Sequence, residues 1–540
     1  MDQVRDSRLN VADSLGFSKN VLSKFSRLAE DILSASTAIH ERRNLLAPIN
    51  RLPLDVLCLI PTHLDSLNDC LRVTFVCRRW RRTFLQHATL WSQLYLSGKT
   101  DKLLVATLLE RVKGSPLDII TSYYGSPVRD VTLLSPFARQ IRSLRIKSAC
   151  SDEVQNLSAA ISEPLILLHT LEVDAKGYLN GPRSLAAPTT PLFKTAVNLK
   201  KFDLDIGRHP SLRCFTFPNL TTFIFSTWTA HEAFSVSELL DFLEASPTLR
   251  QIDMTINADL LHEDVPPGRV IVLPSATTFF LGIINYGPGC EIATHISCPS
   301  AVRAKFEHWL DCAGCDVPED AYPPSVSWSA IVRQYTKGTA ERVVLKMAMD
   351  EYLTIDCSVA FRSSDRATLE FSYTHHSIED QDDMDTILNE RLPCVFSQAS
   401  RTIRNHPLLA NVRRLWIRGG GLAAGDLELA TSDVGLLLGS MGPLREVILD
   451  GCDLRPYLNA FLGTPHSPNP TQPASFPPVK KLVITDPVQS FHNDEVSAAA
   501  IVELARLQHS RGIPFERMTF NTGVPSLVMK ELASFVNTVE

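Results

Sequence analysis

Cys312-Ala-Gly-Cys315 has the thiol spacing of a metal-ligand pair, and Cys290, His295, Cys298 and His308 stand near enough in sequence to complete a zinc site. A second close cysteine pair is missing, and the apolar neighbours Phe306, Trp309 and Leu310 favour ordinary packing of these residues. His375-His376, with Glu379, Asp380, Asp382 and Asp383, is another collection of candidate ligands, but so acidic a run reads as a solvated loop. Gly419-Gly420-Gly421-Leu422-Ala423-Ala424 follows a strand-like segment, where a glycine loop can hold a pyrophosphate. The next helix starts near Ser432, too far on for its N-terminus to meet that phosphate, so the glycines read as a turn. Gly-x-Ser-x-Gly, P-loop and His-Glu-x-x-His patterns do not occur. The expectation is a chain with no catalytic residue, metal or cofactor, whose function lies in the surfaces it presents.

At 540 residues the chain is too long for one compact core and implies a small module joined to something large or repetitive. Its 53 basic and 59 acidic residues leave a net charge of −6, which supplies no general field for nucleic acid or a membrane surface. No basic-then-apolar leader and no apolar run of membrane-spanning length stand out, so the expected location is cytoplasmic, nuclear or both. The twelve cysteines are scattered, mostly in apolar segments such as Arg213-Cys214-Phe215, as buried thiols of a reducing compartment are.

Residues 1–47 open with a polar stretch, after which Val21, Leu22, Phe25, Leu28, Ile32 and Leu33 recur at helical spacing. They predict a helical support that packs on the next segment. A short dimerising coiled coil is the alternative, set aside because the heptads do not persist. In residues 48–97, the stretch 50–53 opens a helix bearing Leu54, Val56, Leu57, Ile60 and Leu64, with proline where a first turn accepts it. After a turn at 65–68, a second helix puts Leu71, Phe75, Val76 and Trp80 around one face and Arg72, Arg78, Arg79, Arg81 and Arg82 mostly outside it. About fifty residues make a marginal core, so a partner should cover part of this apolar surface.

Leu52-Pro53, Val56-Leu57, Ile60, Leu64, Asp69, Val76-Cys77-Arg78-Arg79-Trp80-Arg81, Leu90-Trp91 and Leu94 resemble the F-box in order and spacing, and the chain is similar to fungal F-box domain-containing proteins. Asp55, Pro61 and Cys70 depart from the residues that family favours, and Pro61 predicts an early end to the first helix. The resemblance implies docking on a Skp-type adaptor, and through it a cullin and a RING-type ubiquitin ligase. It makes Leu52, Pro53, Val56, Leu57, Ile60, Val76 and Trp80 contact or supporting positions. The remainder of such a protein selects the substrate.

From residue 98 to 540 a pattern Leu-x-x-Φ-x-Φ, with Φ apolar, recurs. It stands at 168–173, 199–204, 220–225 and 249–254, after a shorter Leu144-Arg-Ile146, and again at 412–417, 444–449, 479–484 and 515–520. The intervals are near or somewhat above the roughly 20–29 residues of leucine-rich repeats. Helix-like stretches lie between at 102–112, 236–243, 434–438 and 496–507, and Pro218, Pro247, Pro274, Pro443 and Pro478 punctuate returns into strands. Residues 258–408 fit less well, with degraded units at 276–281 and 340–354, and 463–478 reads as an exposed loop. The expected fold class is α/β: a small all-helical F-box followed by an irregular leucine-rich-repeat-like curved solenoid.

Side chains alternate along a strand, so with Φ inward their neighbours share the open face. Glu172, Asp174, Asp203, Asp205 and Asp253 fall there in the earlier units, after Arg145 and Lys147. Later units place Arg414, Trp416, Arg418, Lys481 and Arg517 there, with Glu446 and Asp450 as exceptions. An exposed tryptophan between two arginines matches the side chains enriched at hot spots, which makes Arg414, Trp416, Arg418 and Lys481 the candidate target-binding residues. The functional expectation is the substrate-recognition subunit of a Skp–cullin–F-box-type ubiquitin ligase, not itself an enzyme, with an unidentified protein as target. The alternatives are an adaptor-bound scaffold without ligase output and, less favoured, an enzyme built on the repeat region.

Overall fold

The computed structural model describes residues 19–63, 67–97, 100–122, 131–147, 151–174, 191–205, 212–227, 234–257, 261–262, 265–266, 268–284, 288–311, 342–349, 355–362, 368–376, 412–420, 438, 441, 444–451, 454, 458, 462, 479–485, 495–521 and 524–540. The chain divides into two compact units, Met1–Ile120 and Thr121–Glu540.

The first unit is mainly helical. Helix α1 (Lys19–Leu46) leads through a 3-10 turn (Pro48–Arg51) to α2 (Leu54–Leu59), α3 (Leu67–Val73) and α4 (Arg78–Gln86). The apolar stripe of α1 is not packed on the neighbouring helices: Phe25, Ile32 and Ile39 are 61%, 60% and 67% exposed. Helix α2 is short, giving way after Leu59 to a 3-10 turn (Ile60–His63), because Pro61 has no N–H to continue an α-helix. The single second helix expected here is two, α3 and α4. Thr74 turns its hydroxyl onto the Leu71 carbonyl at 2.7 Å and Cys77 is fully extended, within a β-branched and aromatic run that favours helix weakly. A 3-10 turn (Ala88–Trp91), strand β1 (Gln93–Ser97), helix α5 (Lys102–Val112) and strand β2 (Leu117–Ser122) come next, with the Asp101 carboxylate capping α5 by accepting from the Leu103 N–H. Leu57, Trp80, Phe84, Leu90, Trp91, Leu94, Val105, Leu108 and Leu109 are buried in this unit.

The second unit is built on a predominantly parallel sheet. Its strands are β3 (Ile141–Lys147), β4 (Thr170–Asp174), β5 (Lys201–Asp205), β6 (Thr222–Ser226), β7 (Phe234–Ser235), β8 (Gln251–Asn257), β9 (Leu261–His262), β10 (Ile271–Val272), β11 (Thr278–Ile284), β12 (Ile296–Ser297), β13 (Arg303–Asp311), β14 (Arg342–Met349), β15 (Ile355–Arg362), β16 (Thr368–His376), β17 (Arg414–Gly420), β18 (Glu446–Asp450), β19 (Lys481–Thr485) and β20 (Arg517–Phe520). The order across the sheet is β3-β4-β5-β6-β8-β11-β13-β16-β15-β14-β17-β18-β19-β20, while β7 pairs with β9 and β10 with β12 in short separate ladders. Helices α6 (Ser151–Ala160), α7 (Val236–Glu244), α8 (Glu495–Ser510) and α9 (Ser526–Leu532) lie between or after strands.

The register explains why the apolar pattern recurs. Leu144, Leu171, Phe202, Phe223, Ile252 and Phe279 stand side by side on successive strands, and so do Leu415, Val447, Leu482 and Met518; all are buried. Ahead of each early strand the chain closes a four-residue turn, with Leu199 N–H bonded to the Ala196 carbonyl, Leu220 to Phe217, Leu249 to Ser246, Ala276 to Leu273 and Ala301 to Cys298. Pro218, Pro247, Pro274 and Pro299 occupy the second position of these turns, where their fixed φ is already the one required. The third position ties one unit to the last: Asn198 and Asn219 donate to the Ile166 and Val197 carbonyls at 2.9 Å, and the Thr248 hydroxyl donates to the Leu220 carbonyl at 2.7 Å. Phe202 and Phe223 pack on Phe242 of α7 with ring centroids 6.0 and 4.7 Å apart, an aromatic core between helix and sheet.

Strand β11 continues the parallel ladder between β8 and β13. Beyond it the sheet turns mixed: β13 with β16 and β14 with β17 are parallel, but β15 is antiparallel to both β14 and β16. Strands β13 to β16 lie within 258–408, the stretch that fits the repeat pattern less well. Gly419 and Gly420 lie inside β17, opposite Met347 and Ala348 of β14, and not in a turn. Cys312, Cys315, Glu379 to Asp383, the stretch 463–478 and most of 434–438 fall outside the described residues.

Candidate functional site

In the first unit a buried asparagine organises the helices. Trp80 donates its indole N–H to Asn50 Oδ1 at 2.6 Å, and the Asn50 amide donates to the Asn44 carbonyl at 2.7 Å. The Arg79 guanidinium donates to the Leu52 carbonyl at 2.7 Å, so α4 holds the segment bearing Leu52 and Pro53 from two sides. The Trp80 ring meets Phe84 edge-on, with centroids 5.3 Å apart and planes at 88°, and the Trp91 indole donates to the Phe84 carbonyl at 2.9 Å. Asn50 was not singled out by sequence reasoning; an uncharged polar residue beside Arg51, between Ile49 and Leu52, is the trace it leaves.

Over this closed core the predicted adaptor-docking residues divide by exposure. Leu57 and Trp80 are buried and hold the frame, whereas Pro53, Val56 and Val76 are exposed and Leu52 and Ile60 partly so. Leu54, Leu59 and Phe75 are exposed too, Phe75 at 71%, and were not among the predicted docking residues. Burial raises the thiols of Cys58 and Cys70, with Asp55 and Asp69 adding to it, so both stay protonated and neither is an activated nucleophile. Covering exposed aliphatic and aromatic side chains by a partner is favourable by ~1.5–3 kcal/mol each when complete. The unit thus sets a satisfied aromatic core beneath a bare apolar surface.

Residues 49–97 match the F-box-like family, so the chain carries an F-box-like domain over less than a tenth of its length. F-box domains bind Skp-type adaptors, which supports an adaptor as a partner of this chain. No curated protein matches the chain.

On the open face of the sheet in the second unit, charged side chains line up by register. Arg145, Glu172, Asp203, Ile224, Asp253, Phe280 and Lys305 form one row across β3 to β13. Glu172 sits between Arg145 Nε at 3.0 Å and Lys201 Nζ at 3.2 Å, and Lys201 also reaches Asp203 at 3.4 Å. Burial pushes the Asp203 carboxyl up, Lys201 pulls it back, and Glu172 and Asp205 push it up again. Asp253 is raised by burial and then by Asp203 and Glu307. Lys305 lies over the Phe280 ring, 5.7 Å from its centroid, and pairs with Glu307 at 3.3 Å.

The later strands differ from expectation in two respects. Arg414 pairs with Glu446 at 2.8 Å and Arg418 with Asp450 at 3.6 Å, so the residues noted as exceptions to a basic face neutralise it locally. Trp416 is half-buried, not exposed, and its buried indole N–H has no hydrogen-bond acceptor among the described residues. Lys481 is exposed, in register between Glu446 and Arg517, and Arg517 pairs with Glu540 at 3.3 Å. Arg414, Trp416 and Arg418 thus share strand β17, while Lys481 stands two strands away on β19, with β18 between them. His295 Nδ1 lies 2.7 Å from the Arg269 carbonyl, and among the described residues no group of His, Cys, Asp and Glu is arranged to hold a metal. Among the same residues no helix is long and apolar enough to cross a membrane.

Proposed function

We propose that the chain is the substrate-recognition subunit of a Skp–cullin–F-box-type ubiquitin ligase. The observation that carries this reading is the F-box-like segment 49–97, with Pro53, Val56 and Val76 exposed over the Trp80–Phe84 core. Leu52, Pro53, Val56, Ile60 and Val76 meet the adaptor, Leu57 and Trp80 support them from beneath, and the adaptor joins the chain to a cullin. The remainder acts as an irregular leucine-rich-repeat-like curved solenoid, a reading supported by the registered apolar rows and the repeated proline turns. Its open strand face holds a protein target, with Arg414, Trp416, Arg418 and Lys481 among the contacts. The chain is not an enzyme in this reading; it holds the target near a ubiquitin-charged enzyme and so raises the effective concentration of the reacting groups. It works in the cytoplasm, the nucleus or both, with neither nucleic acid nor a membrane as partner.

The test is affinity capture from the native host with wild type and with Val56→Asp/Val76→Asp, two exposed positions, the melting transition of the variant being compared with that of wild type. Adaptor binding should weaken roughly 30-fold or more, the ~2 kcal/mol of a hot-spot residue. Targets should accumulate on the variant, and Arg414→Glu/Trp416→Ala/Arg418→Glu should lose them while keeping the adaptor. Undiminished adaptor capture by Val56→Asp/Val76→Asp refutes the docking surface. Adaptor capture without cullin-dependent turnover of any captured protein makes the chain a scaffold.

A further inference from the structure

Helix α1 is bound to its own unit only near its C-terminal end among the described contacts, where Glu41 pairs with Arg78 at 2.6 Å and the Asn44 carbonyl accepts from Asn50. The rest of its 28 residues carries bare apolar side chains. The helical spacing read from the sequence stops at Leu33, but the helix continues to Leu46 and extends the register. Val21, Phe25, Leu28, Ile32, Ala35, Ile39, Arg42 and Leu46 succeed one another in strictly alternating steps of four and three residues. Phe25, Leu28, Ile32, Ile39 and Leu46 in this series are each more than half exposed. That alternation averages about 3.5 residues per turn, the period that keeps a seam facing a second helix of the same pitch along its whole length.

We propose that α1 is a dimerisation helix that pairs antiparallel with α1 of a second copy of this chain. The full-length register sets Val21 against Leu46, Phe25 against Arg42, Leu28 against Ile39 and Ile32 against Ala35 of the other copy, and then repeats in reverse. Arg42, the one charge in the seam, decides the direction. In a parallel pair each seam residue meets its own counterpart, which buries Arg42 against Arg42. The antiparallel pair lays each guanidinium over a Phe25 ring, an attractive cation–π contact. Lys24 then flanks Leu45 and Asp31 flanks Ala38, so no like charges oppose each other. Sliding by one heptad strands either Leu46 and Arg42 or Val21 and Phe25 without a partner. Every seam position, the charged one included, finds its complement within α1 itself, which is why the occupant is a second copy and not a foreign helix. A dimer carries two F-box-like domains and two strand faces, and a target with two recognised segments gains avidity from it.

Sedimentation or light scattering of the full chain at micromolar concentration tests this. Wild type should have twice the chain mass of 59.9 kDa. Leu28→Asp/Ile39→Asp, which puts carboxylates opposite each other in the seam, should have the single-chain mass with an unchanged melting transition of the second unit. Phe25→Glu, facing Arg42, should remain dimeric with a stronger salt dependence, whereas Phe25→Arg should dissociate. A monomeric wild type, or a dimer that survives Leu28→Asp/Ile39→Asp, overturns the proposal. Equal dissociation of Phe25→Glu and Phe25→Arg overturns the antiparallel order.

Discussion

At the scale of single residues, Asn50 shows how a polar side chain can fix an apolar module. Its amide satisfies the Trp80 indole and the Asn44 carbonyl at once, so removing it leaves a donor buried in a tightly packed place. Asn50→Ala should destabilise the first unit by ~1–3 kcal/mol, the desolvation cost of an orphaned donor. Trp80→Phe in the same background should cost less than the sum of the single changes, since the orphan disappears with the indole. Denaturant melts of the four proteins decide it, and strict additivity would show that the bond does not carry the effect. Asp253 makes the opposite case, a carboxylate the fold disfavours. Its folded pKa is raised by burial, Asp203 and Glu307, so the native state holds the proton more tightly than the unfolded chain. Stability therefore falls as pH rises from the ordinary Asp value to the raised one, and stays at the lower level above it. Asp253→Asn should raise the melting temperature at neutral pH and give no gain in acid where wild type is already protonated. Equal melting temperatures at neutral pH would contradict this.

Among the elements, legibility tracked how much each depended on its own segment. The strands of the earlier Leu-x-x-Φ-x-Φ segments, at 168–173, 199–204, 220–225 and 249–254, were readable because the leading residue closes a turn and the two Φ residues enter buried rows, so three positions are constrained at fixed spacing. Strands β11 and β13 use the same turn, but Ala276 and Ala301 stand in the leucine position and Ala304 at the first Φ, which blurred the signal. Strands β14 to β16 share two antiparallel pairings, a change of topology that no local spacing announces. The α3–α4 break went unread because its cause is one hydroxyl bonding back to Leu71 within a run still apolar enough for a helix face. In the F-box-like domain, Leu57 and Trp80 were recognisable as positions but their burial was not, since exposure depends on how the three short helices α2, α3 and α4 meet. The pairing of Arg414 and Arg418 with β18 required register, which sequence alone leaves free.

For the whole molecule, the division into two units bears on the proposed function, because the proposed adaptor docking and target holding then draw on different cores. Leu57, Trp80, Phe84 and Trp91 are buried within the first unit, and Phe202, Phe223, Phe225 and Phe242 within the second. In the second unit the order across the sheet largely follows the order along the chain, so each strand leans on its immediate neighbours and a defect spreads through them. Phe223 touches Phe202, Phe225 and Phe242, and truncating it removes the middle of that stack. Phe223→Ala should destabilise the second unit by about 3–5 kcal/mol, as large aromatic truncations in cores do. Its melting transition should drop while adaptor capture, measured below that transition, stays at the wild-type level. Trp80→Ala should do the reverse, abolishing capture while the second unit melts as before. Both outcomes are needed: loss of adaptor capture in Phe223→Ala at a temperature where the second unit is still folded would mean that the docking surface depends on that core.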